Sequence, residues 1–143
     1  MRLWMGANGC CCLVLCFAGL LSGCGGGKAY HLSGKATFKG KDIPEGYIIF
    51  EPDGSKGNMG QPGRAKILDG QYSTRDEDGM STVGGPHVIR IVAHNAKMDT
   101  SVVKGGEVVM PDLLFPPYSF NQDLPSEHSE VDFDVPAEAA KKK

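Results

Sequence analysis

Past position 24 this chain has neither cysteine nor tryptophan. The one tryptophan is Trp4, and the five cysteines are Cys10, Cys11, Cys12, Cys16 and Cys24. The chain after Cys24 therefore closes no disulfide, and it lacks the side chain best suited to stacking on sugar rings. No apolar run reaches the roughly 20 residues that a membrane-spanning helix needs. Charge is nearly balanced, at a formal net −2 for 143 residues. A balance so close to zero sets up no field that would gather nucleic acid. The four histidines, His31, His87, His94 and His128, include no pair three or four residues apart. That removes the usual helical metal pair. His87 and His94 fall on one expected strand with opposite parity, so they point to opposite faces, and His87 reads as a satisfied polar residue near the core.

Catalytic signatures are missing too. Ser81 sits in Gly79-Met80-Ser81-Thr82-Val83, which lacks the second glycine of a nucleophile elbow. Gly57, Gly60 and Gly63 are spaced like a glycine-rich loop but lead into no Gly-Lys-Ser/Thr. Asp76 and Asp78 precede Gly79 as in part of a calcium loop. Full EF-hand spacing would put the first ligand at Thr74 and the last at Gly85, and neither suits. A solvated acidic turn is the plainer reading of Asp76 to Asp78, with an isolated calcium site as the alternative. Cys10-Cys11-Cys12 has no histidine or carboxylate beside it and reads as small apolar residues, not as metal ligands. The chain thus reads as a non-enzyme with no catalytic residue, no metal and no cofactor.

What is present begins with Leu21-Ser22-Gly23-Cys24. A charge-free apolar stretch, Cys10 to Leu21, leads into it, and Arg2 is the only charged side chain before it. This layout matches a secretory signal, with its apolar region of about 7–15 residues and small residues at the cut. Aliphatic, small, small, cysteine resembles the lipobox of bacterial lipoproteins. That resemblance implies cleavage after Gly23 and a diacylglycerol thioether on Cys24. Each buried CH₂ adds about 0.8 kcal/mol, and two acyl chains suffice for stable anchoring. Gly25-Gly26-Gly27 would then be a short flexible tether.

The remainder reads as one all-β domain. High glycine and proline, 20 and 9 residues, favour turns over long helices. Tyr30 to Phe38 alternates, with Tyr30, Leu32, Ala36 and Phe38 on one side. Lys39 to Asp42 turns into Tyr47 to Glu51, where Ile48 and Phe50 share a face. Ser55 to Gly63 reads as a glycine-rich loop. Arg64 to Leu68 and Gln71 to Arg75 flank Asp69-Gly70, a tight-hairpin signal, with Tyr72 in the core. His87 to His94 is rich in branched residues and points Ile89, Ile91 and Ala93 inward. Asn95 to Asn121 is the least regular part. It holds a small hairpin around Gly105-Gly106 and a covering loop in which Tyr118 and Phe120 are exposed. His128 to Val135 alternates again, with Val131, Phe133 and Val135 inward and Glu130, Asp132 and Asp134 on a solvated face. Positions 136–143 form a polar, lysine-rich tail.

Gly34 to Pro52, Asp69-Gly70-Gln71-Tyr72 and Gly85-Pro86-His87-Val88-Ile89-Arg90-Ile91 together resemble the carboxypeptidase-regulatory-like, or transthyretin-like, domain. His87 stands where that family often has a tyrosine. The resemblance implies an Ig-like β-sandwich of about seven strands, and it carries no catalytic residue. The expected layout is a signal peptide over 1–23, a lipidated cysteine and tether over 24–29, the sandwich over 30–135 and the tail over 136–143. The expected function is a lipid-anchored, non-catalytic binding or structural module of the cell envelope. It would sit on the cell membrane or outer membrane, facing the periplasm or exterior, with an envelope protein or a glycan as partner and no nucleic acid. A carbohydrate-binding module at the cell surface is the alternative.

Overall fold

A computed structural model describes residues 28–99, 103–104 and 106–140. Its regular structure is almost all strand. In chain order the strands are β1 (Leu32–Phe38), β2 (Lys41–Asp42), β3 (Glu45–Pro52), β4 (Gly63–Leu68), β5 (Gln71–Ser73), β6 (Gly85–His94), β7 (Val103–Lys104), β8 (Glu107–Val108), β9 (Tyr118–Leu124), β10 (Ser129–Glu130) and β11 (Phe133–Val135). Two 3₁₀ turns, Gly54–Lys56 and Ala137–Ala140, are the helical content of the described residues.

Nine strands make one sheet in the order β10-β1-β5-β4-β3-β6-β9, with β2 and β11 also on β1. All pairings in it are antiparallel except those of β1 with β10 and β11, which are parallel. The sheet curls, so that Phe120 of β9 and Phe133 of β11, from its two ends, lie edge to face at 6.0 Å. β7 and β8 form a separate small hairpin, as the glycine pair at 105–106 suggests.

Local chemistry explains the turns. Asp69 and Gly70 have φ of 51° and 72°, and Lys39 and Gly40 have φ of 55° and 70°. Two consecutive left-handed residues make a two-residue hairpin whose twist suits the flanking strands. Here they set Leu68 against Gln71 and Phe38 against Lys41. Gly70 has a second constraint, because a Cβ there would lie 2.6 Å from the Asp42 carboxyl.

Alternation places the core as expected. Leu32, Ala36, Ile48, Phe50, Ala65, Ile67, Tyr72, Ile89, Ile91 and Ala93 are all buried in one cluster. Phe133 packs into this cluster, with ring centroids 5.7 Å from Tyr72 and 6.2 Å from Phe50. The Tyr72 hydroxyl ends at the edge of this cluster and donates to the Val131 carbonyl at 2.5 Å. Burial first, then the charges of Asp132 and Glu130, push the Tyr72 phenol well above its ordinary pKa. The hydroxyl therefore stays a donor throughout the working pH range.

Two expectations need correcting. Tyr118 and Phe120 do not sit in an exposed covering loop. They lie on β9, in register with Ile91 and Ile89 of β6, half-buried against the core. Pro116-Pro117 ends the irregular stretch rather than continuing it, because neither proline can donate to a ladder. The last strand is also not continuous. It breaks at Val131-Asp132 into β10 and β11. Gly34 of β1 faces the break, and a side chain there would collide with the Val131 carbonyl.

Candidate functional site

The expected lipid-bearing residue, Cys24, and the expected signal, 1–23, lie outside the described residues. The described chain enters at Lys28 and is pinned at once. Tyr30 and Thr82 exchange backbone hydrogen bonds at 2.8 and 2.9 Å. That bridge holds the start of β1 beside the turns at 74–82 and 125–129.

Three adjoining hollows open on this region. One, of about 590 Å³, is lined by Lys66, Gln71, Ser73, the acidic turn Asp76 to Asp78, and Glu130. A second, of about 610 Å³, lies between His31, Gln61, Arg75 and Met80. A smaller one, of about 270 Å³, is framed by His31, Arg75, His128 and Glu130. Their walls carry hydroxyls, carboxylates, one guanidinium and two imidazoles. The imidazoles stack at 5.3 Å with 24° between ring planes. The His31 N–H donates to His128 Nδ1 at 2.9 Å, so that nitrogen is an acceptor and the proton of neutral His128 sits on Nε2. Buried Thr74 closes the floor, its hydroxyl accepting the Leu32 N–H at 2.9 Å.

The acidic turn is a compact backbone turn. Gly79 donates to the Asp76 carbonyl at 2.8 Å, and Arg64 Nε donates to the Asp78 carbonyl at 3.1 Å. Among the described residues, no three histidines, cysteines, aspartates or glutamates gather in a metal-holding arrangement. Asp76, Glu77 and Asp78 thus do not converge on one point, alone or with Glu130 across the hollow. Ser81 pairs with no histidine or carboxylate among the described residues.

The sequence-derived polar residues have mixed outcomes. His87 is buried, at 1% exposure, and its Nδ1 lies 2.8 Å from the Gly85 carbonyl. Nδ1 therefore carries the proton and donates. Nε2 finds no partner among the described residues, so only half of this residue is satisfied. His94 points the opposite way, as its parity requires, with Nδ1 2.9 Å from the Pro111 carbonyl. The stripe of Glu130, Asp132 and Asp134 is exposed but is not merely solvated. Asp132 accepts the Lys35 N–H at 2.7 Å. Asp134 accepts the Thr37 hydroxyl at 2.6 Å and the Gly40 N–H at 3.0 Å. The Thr37 hydrogen bond, followed by that from Gly40, lowers the Asp134 pKa.

Sequence reasoning missed Glu45. It is 5% exposed and bonds Lys66 Nζ at 2.9 Å and the Met98 N–H at 2.6 Å. Burial pushes its pKa up, but the Met98 and Lys66 bonds and the Lys66 charge outweigh burial and bring it below the ordinary value. A buried glutamate needs such partners. Its position straight after Pro44, where turn and strand meet, gave no periodic signal. No family model, characterised relative or solved structure matches this chain.

Proposed function

We propose that this protein is a lipid-anchored, non-catalytic β-domain of the bacterial cell envelope that binds or spaces another envelope component. One observation carries the reading: an apolar run ending in Leu21-Ser22-Gly23-Cys24, followed directly by three glycines and a cysteine-free chain. In this reading 1–23 is cleaved, Cys24 holds the lipid, and the membrane is the first partner. The protein then lies on the cell membrane or outer membrane, facing the periplasm or exterior. We further assign the curled sheet to an Ig-like, transthyretin-like sandwich. The facing of β9 and β11 through Phe120 and Phe133 supports two layers. The two left-handed hairpins, at the places where the family resemblance puts turns, support the same assignment.

The glycan-binding alternative loses its motivating feature, since Tyr118 and Phe120 are half-buried strand residues and not a free aromatic platform. A glycan array with the native protein would still decide it, since a specific hit restores the alternative. The anchor is tested in cells. Cys24→Ala should leave the domain folded and move it from the membrane fraction to the soluble one. Retention of the variant in salt-washed membranes, or a native amino terminus other than a lipidated Cys24 in mass spectra, contradicts the reading.

A further inference from the structure

We infer that β9 is a self-association edge, on which a second copy of this chain pairs antiparallel about a two-fold axis centred on Asn121. The inference is independent of the lipid anchor. β9 ends the sheet, and among the described residues nothing hydrogen-bonds to its outer side. A strand of seven residues with free N–H and C=O groups is a template for another strand. Proteins usually blunt such an edge with lysine, proline or a bulge. Tyr118-Ser119-Phe120-Asn121-Gln122-Asp123-Leu124 has none of these, and it pairs with β6 residue for residue over its length.

A second copy is the occupant that the charges favour. Asp123 is the only charged residue of β9. Centring on Asn121 places Asp123 opposite Ser119, Tyr118 opposite Leu124 and Phe120 opposite Gln122. Like charges then never meet, and each half-buried ring gains a neighbour on its own face. Pairing of β9 with the β10–β11 end of another copy would instead bring Asp123 towards Glu130, Asp132 and Asp134. A single strand pair falls in the weak interface class, below about 1,200 Å² in total, so the dimer should form at high protein concentration or when copies share a surface.

Sedimentation equilibrium on the full chain tests this, with Asn121→Lys as the disrupting variant. Residue 121 is exposed, so the variant keeps its fold, checked by its melting curve. The expected mass rises towards twice the monomer as concentration approaches about 1 mM, and the variant stays monomeric. Register is read separately in the full chain with Cys10, Cys11, Cys12, Cys16 and Cys24 changed to serine. Across the two-fold, Asn121 lies opposite Asn121 with Cα atoms about 4.5–5.5 Å apart, within disulfide reach. Ser119 is roughly 13 Å from its copy. Asn121→Cys should therefore cross-link at least about tenfold more than Ser119→Cys. A monomer at every concentration, or doubling that persists in Asn121→Lys, overturns the inference. So does equal cross-linking of the two thiols, or a ladder of species beyond the dimer, which would mark head-to-tail pairing.

Discussion

At one end of the sheet β10 and β11 are two and three residues long, broken between them, followed by Pro136 and flanked by outward carboxylates. At the other end β9 runs seven residues without a break, carrying one charge. Both ends close over the same core, and Phe133 and Phe120 touch there. Yet among the described residues only the first is tied down by its own side chains. His128, Asp132 and Asp134 reach across to accept the N–H groups of His31, Lys35 and Gly40 on or beside β1. The Asp132 bond lies at the break, and the other two hold the segment beyond either end of β1. The comparison teaches that a strand pairing too short to hold by its backbone can be secured by acceptor side chains. An unbroken strand needs no such help, and its outer side stays open.

The sharpest way to break this contrast is to remove what the two ends share. Phe133→Ala should cost about 3–5 kcal/mol, the usual range for a buried aromatic. It should release the β10–β11 end first. Hydrogen exchange should then rise in β1 at Lys35 to Phe38 before it rises in β3 or β6. Loss of protection at β9 first would mean that the tied end is not the one Phe133 holds.

A smaller change separates the side-chain ties from the core. Asp134→Ala should cost about 1 kcal/mol, since it removes bonds to Thr37 and Gly40 at a solvent-exposed carboxylate. The sign of its pH dependence follows from its lowered pKa. A carboxyl whose pKa is lower folded than unfolded binds more protons when unfolded. Its stabilisation is complete above the unfolded value, about 3.9, and is lost as pH falls through the folded one. Glu45 works in the same direction. Denaturant melts from pH 7 down to pH 2 should show the difference between native and Asp134→Ala shrinking below about pH 4. A difference that is constant with pH would remove the charged acceptor from the account.

The smallest expected effect on stability lies at the other end. Asn121→Lys should change it by no more than about 0.5 kcal/mol, as for an ordinary exposed site. A chemical melt of the monomer measures this. A cost several times larger would show that β9 is held by contacts beyond its β6 partner.

Much of the fold could be read from local pattern. Period-two alternation placed the inward residues of β1, β3, β4 and β6, because a half-buried strand sorts its side chains two by two. Asp69-Gly70 announced its hairpin because few other pairs accept two left-handed residues. β9 was missed because Tyr118 and Phe120 follow two prolines and polar Gln122 interrupts the alternation before Leu124. Only the ladder with β6 shows them to be a strand. Glu45 was missed because burial of a carboxylate depends on Lys66 and Met98, which are distant in sequence.

By itself the amino-acid order determined the all-β character, the tight turns, the core faces and the Cys24 signature that motivates an anchor. Each of these is a property of neighbouring residues. Only the tertiary structure decided that the C-terminal segment runs parallel to β1 and that its carboxylates serve as acceptors. It also decided that Glu45 is buried with partners, and that β9 ends the sheet with its outer side open. Those outcomes join residues as many as 97 positions apart. They depend on which distant strand the folded chain brings alongside, and no local pattern encodes that.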